Sequence, residues 1–122
     1  MIGYVTLGTN DMERAARFYD QLLGELGGKR FMDTERFIAW TAASAGAALS
    51  LAMPFDEKAA TIGNGVMVAL AMDSREKVDA LYARAIELGA TDEGAPGPRG
   101  EGFYAGYFRD LDGNKLNAYF MG

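Results

Sequence analysis

Asp110-Leu-Asp-Gly-Asn-Lys-Leu-Asn-Ala-Tyr-Phe-Met121 joins a cluster of turn-forming residues to an alternating, aromatic run. Asp110, Asp112, Gly113 and Asn114 suit a tight reversal, because short polar side chains can hold the backbone and glycine accepts positive φ. The run after them reads as a half-buried strand. Phe103 to Arg109 just upstream has the same character, so the two are expected to form a hairpin. Asp-x-Asp-x-Asn also resembles the start of a calcium loop. Such a loop requires a carboxylate at its twelfth position and helical flanks, whereas Met121 stands there and both flanks are strand-like.

Upstream, Ile2 to Gly8 reads as a strand and Asn10 as the cap of a helix beginning at Asp11, with Glu13 completing a capping box. Met12, Ala15, Ala16, Tyr19, Leu22, Leu23 and Leu26 form an apolar stripe at helical spacing, which Gly27-Gly28 ends. Lys29 to Met32, Phe37 to Thr41 and Ala47 to Met53 then read as three antiparallel strands, separated by Asp33-Thr-Glu-Arg36 and Ser44-Ala-Gly46. Residues 54–65 lack a period and read as a linker. Val66 to Met72 reads as a strand, and Asp73 to Leu88 as a helix capped by Asp73. Residues 90–102 read as at most a short strand plus a Gly- and Pro-rich loop. Asn10 and Asp73, Glu13 and Glu76, and Tyr19 and Tyr82 recur at one common offset. The expected fold is therefore α+β, two tandem βαβββ modules over about residues 1–57 and 65–122. Each helix covers one sheet face, so the modules gain by curving around a shared cleft, the default ligand site.

At 122 residues the chain suits a single domain, and its 49% apolar and 24% charged residues are those of a globular protein. No apolar run reaches the ~20 residues of a membrane helix, and no signal peptide is evident at the start, which makes the cytoplasm the default. A net charge of −5 without a basic cluster argues against nucleic acid as a partner. The chain has neither cysteine nor histidine. That removes thiolate chemistry, the usual neutral-pH base and the commonest transition-metal ligand.

Tyr4-Val-Thr-Leu-Gly-Thr-Asn-Asp-Met-Glu-Arg-Ala-Ala-Arg-Phe-Tyr19 and Gly106-Tyr-Phe-Arg-Asp-Leu-Asp-Gly-Asn-Lys-Leu-Asn117 resemble the vicinal oxygen chelate superfamily of glyoxalases, bleomycin resistance proteins and extradiol dioxygenases. Leu111 replaces the proline usual there. In metal-dependent members, ligands come from the first, fourth, fifth and eighth strands. The resemblance carries these positions onto Tyr4, the strand containing Ser50, Met67 and Asn117. A phenol, a hydroxyl, a thioether and an amide do not hold a hard divalent ion without charge compensation. The expectation is accordingly no metal and no cofactor.

The candidate ligand contacts are Tyr4, Trp40, Met67, Arg99 and Asn117. Tyr4, Met67 and Trp40 read equally as core residues, and Arg99 also reads as a solvated loop residue. Asn117 is harder to place in a core, because an amide facing a concavity needs partners. Three functions remain open: a metal-free protein binding a small apolar or aromatic molecule; a glyoxalase-type lyase or isomerase, or another enzyme using Tyr4, Glu35 or Glu101; and an interaction subunit with a filled cleft. The resemblance and the open sheet edges imply a homodimer.

Overall fold

The computed structural model describes residues 1–42 and 46–122. The chain divides into two compact units, Met1–Ile62 and Gly63–Gly122. Together they contain two βαβββ modules, each with a mixed four-stranded sheet and one helix.

The first unit contains β1 (Tyr4–Gly8), α1 (Met12–Gly24), β2 (Lys29–Asp33), β3 (Phe37–Thr41) and β4 (Ala48–Ala52). Its sheet order is β1-β4-β3-β2, with β1 parallel to β4 and the other pairs antiparallel. Ala15, Ala16, Phe18, Tyr19, Leu22 and Leu23 are the buried face of α1. Removing a leucine of that stripe from water contributes ~1.5–3 kcal/mol. Strand alternation puts Leu7, Ile38, Trp40, Leu49 and Leu51, all buried, on the helix side of the sheet. Tyr4, Thr6, Phe37 and Ser50 fall on the helix-free side.

The helix entrance differs from the sequence expectation by one residue. Asp11 is the N-cap and its side chain accepts from Arg14 N–H, while its own N–H donates to the buried Thr9 hydroxyl. Asn10 is used elsewhere: its Nδ2 donates to Ala60 O and its Oδ1 accepts from Ala60 N. Both backbone groups of a linker residue are thereby tied to the start of α1. At the other end, Gly28 N–H donates to Leu23 O. A Cβ at Gly28 would lie 2.8 Å from that same oxygen, so only glycine permits the closure. Of the expected separator Ser44-Ala-Gly46, only Gly46 is among the described residues.

The second unit contains β5 (Val68–Ala71), α2 (Arg75–Glu87), β6 (Thr91–Pro98), β7 (Phe103–Arg109) and β8 (Lys115–Met121). The order is β5-β8-β7-β6, again with one parallel pair, β5 and β8. Val78, Leu81 and Ala85 of α2 are buried, as are Phe108, Leu116 and Ala118 of the sheet. Tyr82 and Tyr104 reach between helix and sheet, donating to Asp92 at 2.6 Å and from β7 to Asp79 at 2.7 Å. Ser74, not Asp73, caps α2 by accepting from Lys77 N–H, while Asp73 pairs with the Lys77 ammonium.

The 90–102 segment holds more strand than expected. β6 runs for eight residues, with register shifts between Asp92 and Gly94 and between Gly94 and Gly97. These bulges let a sequence with two glycines and two prolines stay paired with β7. The closing hairpin follows expectation, with Arg109 opposite Lys115. Asp110, 5% exposed, accepts from Asp112 N, Asn114 N and Asn114 Nδ2. Its carboxylate therefore serves the turn.

Candidate functional site

The five candidate contacts do not share one role. Trp40 is a correction: it is 1% exposed on the helix side, with its ring 5.9 Å from that of Tyr19. Its indole N–H donates to Asp20 at 2.9 Å, and Arg30 lies over its face while also bonding Asp20. The Arg30 hydrogen bond, aided by the indole, holds Asp20 below the usual carboxylate range despite burial. Trp40 is thus the centre of a polar lock between α1, β2 and β3. Alternation from Arg36 and Ile38 left its face ambiguous because the segment is buried on both sides.

Tyr4 lies on the helix-free side of the first sheet. It is 64% exposed and its ring meets Phe37 edge-on at 6.4 Å. Nearby, a cavity of about 760 Å³ is lined by Thr6, Phe37, Met53 and Phe55, with Arg36 and Glu57 also lining it. Ser50, fully buried, is satisfied: its hydroxyl bonds Thr6 Oγ1 at 2.8 Å and Val5 O at 2.9 Å.

Met67 precedes β5 instead of lying within it, and is 41% exposed. The strand is shorter than the apolar run suggested because Val66 pairs locally with Gly63.

Asn117 is 1% exposed, and its Oδ1 is buried without a hydrogen-bond partner. Its register neighbours are Ala69 on β5, which has no side-chain polar group, and Tyr107 on β7. A buried amide oxygen left unpaired costs ~1–3 kcal/mol, so its persistence calls for an explanation beyond folding.

Arg99 is exposed in the loop that follows β6, and the backbone holds its guanidinium there. Its Nη2 donates to Ala95 O at 2.7 Å and its Nη1 to Pro98 O at 3.3 Å. A Cβ at Gly97 would sit 3.1 Å from Nη1 and one at Gly94 3.3 Å from Nη2, so these glycines leave the cradle in which the guanidinium rests. From there it lies 5.5 Å from the Tyr107 ring centroid. Lys115, which the sequence reading did not single out, places its ammonium 5.5 Å from the same centroid. The signal available for Arg99 was the Gly-x-x-Gly-x-Arg spacing on the bulged strand; for Lys115 it was its place two residues before Asn117 on the same face.

The positions where the resemblance would put metal ligands do not fit such an ion. Ser50 is committed to Thr6 and Val5, Met67 offers a thioether and Asn117 one neutral oxygen. Among the described residues, no three His, Cys, Asp or Glu side chains gather into a possible metal site.

Two modules of βαβββ order, each with a parallel β1–β4-type pair and one helix-free sheet face, define a class of duplicated α+β proteins. The profile of the Glyoxalase/Bleomycin resistance protein/Dioxygenase superfamily matches residues 1–118, and the chain belongs to that superfamily. It is similar to the crystal structure of a glyoxalase/bleomycin resistance protein from Albidiferax ferrireducens T118, at 35% identity and a TM-score of 0.91 over 100% of this chain and 99% of that one. A glyoxalase-related enzyme from Fulvimarina pelagi shares the fold at 22% identity and a TM-score of 0.80, covering 98% and 87%. So does a glyoxalase/bleomycin resistance protein/dioxygenase family enzyme from Burkholderia phytofirmans PsJN, at 19% and 0.79, covering 98% of both chains. No curated protein matches the chain. Among the described residues, no helix is long and apolar enough to cross a membrane.

Proposed function

We propose that the protein binds a small, planar, largely apolar organic molecule without a metal, on the helix-free face of the second sheet. The observation that supports this most is the orphaned Asn117 Oδ1, a buried acceptor facing no donor. A ligand N–H or O–H would satisfy it, and the aromatic side chains of the same face supply the apolar wall. Phe103 and Tyr119 stack there with centroids 5.6 Å apart, and Tyr107 stands opposite Asn117. Ring contacts add ~0.5–1.5 kcal/mol beyond burial and a satisfied hydrogen bond about 1. Micromolar affinity follows if the face is preformed, as the cradled Arg99 favours.

The test is a nuclear magnetic resonance titration that follows the Asn117 side-chain amide. A panel of planar amides and phenols, 2-naphthamide among them, is added to the isotope-labelled protein. The expected result is a saturable shift at Asn117 for at least one compound, and loss of its binding in Asn117→Leu. If no compound moves the Asn117 signal, or if binding survives that substitution unchanged, the reading is wrong.

A further inference from the structure

We infer that the ligand of the second sheet is an anion, an aromatic or conjugated carboxylate, recognised by Arg99 and Lys115, whose charges both lie near Tyr107. The inference rests on the binding reading above and adds the charge of the ligand. Both cations lie 5.5 Å from the Tyr107 ring centroid, and neither has a carboxylate partner among the described residues. The nearby acid on β6, Glu93, is already held by Arg109 at 2.8 Å. Two uncompensated cations gathered on one ring are unusual in a chain of net charge −5. Their positive charges add at this face, and an anion beside them gains from both.

The arrangement is also preformed. Arg99 is fixed by two backbone carbonyls in a cradle that glycines at 94 and 97 leave open. Nη1 and Nη2 each donate one N–H to a carbonyl, which leaves three of the five guanidinium N–H groups for a ligand. Asn117, the register partner of Tyr107, then addresses a second polar group of the same molecule while the ring of Tyr107 meets its plane.

The test compares 2-naphthoate with 2-naphthamide, which share a ring system and differ in charge, by calorimetry and by the Asn117 amide signal. Naphthoate is expected to bind about tenfold more tightly, with an advantage that shrinks as sodium chloride is raised. Lys115→Met is expected to weaken naphthoate binding about fivefold, the upper range of an exposed ion pair, and to bring the two affinities together. Arg99→Lys provides a second variant that keeps the charge while vacating the carbonyl cradle, and should retain part of the preference. If both probes shift Asn117 with equal affinity, the anion inference fails and the binding reading stands. If naphthoate is preferred but Lys115→Met leaves the ratio unchanged, the assignment to these cations fails. If neither probe shifts Asn117, both readings fall.

Discussion

Replacing Asn117 with leucine should make the protein more stable while abolishing ligand binding. The side chain is 1% exposed and its Oδ1 has no partner, so the folded protein carries the desolvation cost of an unpaired carbonyl oxygen, ~1–3 kcal/mol. Leucine branches at the same carbon as asparagine, and its two methyl groups add apolar contact with Ala69 and Tyr107, the register neighbours. Against this stands strain from the greater volume of the two methyl groups in a packed strand, ~1 kcal/mol at the low end of overpacking costs. The expected net gain is about 1 kcal/mol, which for a chain of this size raises the melting temperature by roughly 3–5 °C. Differential scanning calorimetry without ligand measures the shift, and the naphthamide titration measures the loss. A fall in melting temperature would mean that the amide is doing structural service, and the functional reading of its orphaned oxygen would lose its ground.

Trp40→Phe removes the indole N–H from Asp20 and leaves a void beside Tyr19. Urea unfolding should register a loss of about 2 kcal/mol, and a change near zero would contradict the lock described for α1, β2 and β3. Tyr82 is pushed up to about 12, first by burial and then by its hydrogen bond to Asp92. A raised folded pKa gives stability that is full below the unfolded value near 10 and is lost between about pH 10 and 12, so the urea midpoint should fall in that window and fall less in Tyr82→Phe. Sedimentation at micromolar concentration is expected to show a dimer, since β1 and β5 leave sheet edges unpaired within their units; a species of only 13.1 kDa would refute it.

The sequence was most informative where one physical signal stood alone. The Asp110 to Asn114 turn was readable because each residue there serves the same reversal, and the α1 stripe because its helical period needs a sheet. Reading failed where neighbours competed for one task. Thr9, Asn10 and Asp11 are all able to cap, and the choice fell to Asp11 because Asn10 is claimed by Ala60, fifty residues away. Asp73 lost the second cap to Ser74 by pairing with Lys77. Trp40 was misplaced because strand alternation distinguishes two faces but does not say which one meets the helix. Asn117 was legible as a candidate because its chemistry is at odds with a core, whereas Lys115 stood out only through the position of its ammonium, 5.5 Å from the Tyr107 ring centroid.

The two sheets answer the same structural question differently, and that difference supplies a final test. In the first unit, the parallel pair places Thr6 opposite Ser50, and the two hydroxyls bond at 2.8 Å. In the second, the corresponding pair places Ala69 opposite Asn117, and the amide oxygen is left without a donor. Topologically matched positions thus hold a closed polar pair in one module and an open one in the other. Ala69 is exposed on its strand, so a serine there has room, and paired strands roughly 4.8 Å apart bring its hydroxyl within reach of Asn117. Ala69→Ser should therefore supply the missing donor. The hydrogen bond is expected to stabilise the protein by about 1 kcal/mol and to occupy the acceptor that the ligand would use, weakening 2-naphthamide about tenfold. The two effects have one cause, so they should appear together. A stabilised variant that binds as before would show that the Asn117 oxygen is not the ligand's handle. An unchanged melting temperature with weakened binding would show that the serine blocks the face by bulk and leaves the acceptor unsatisfied.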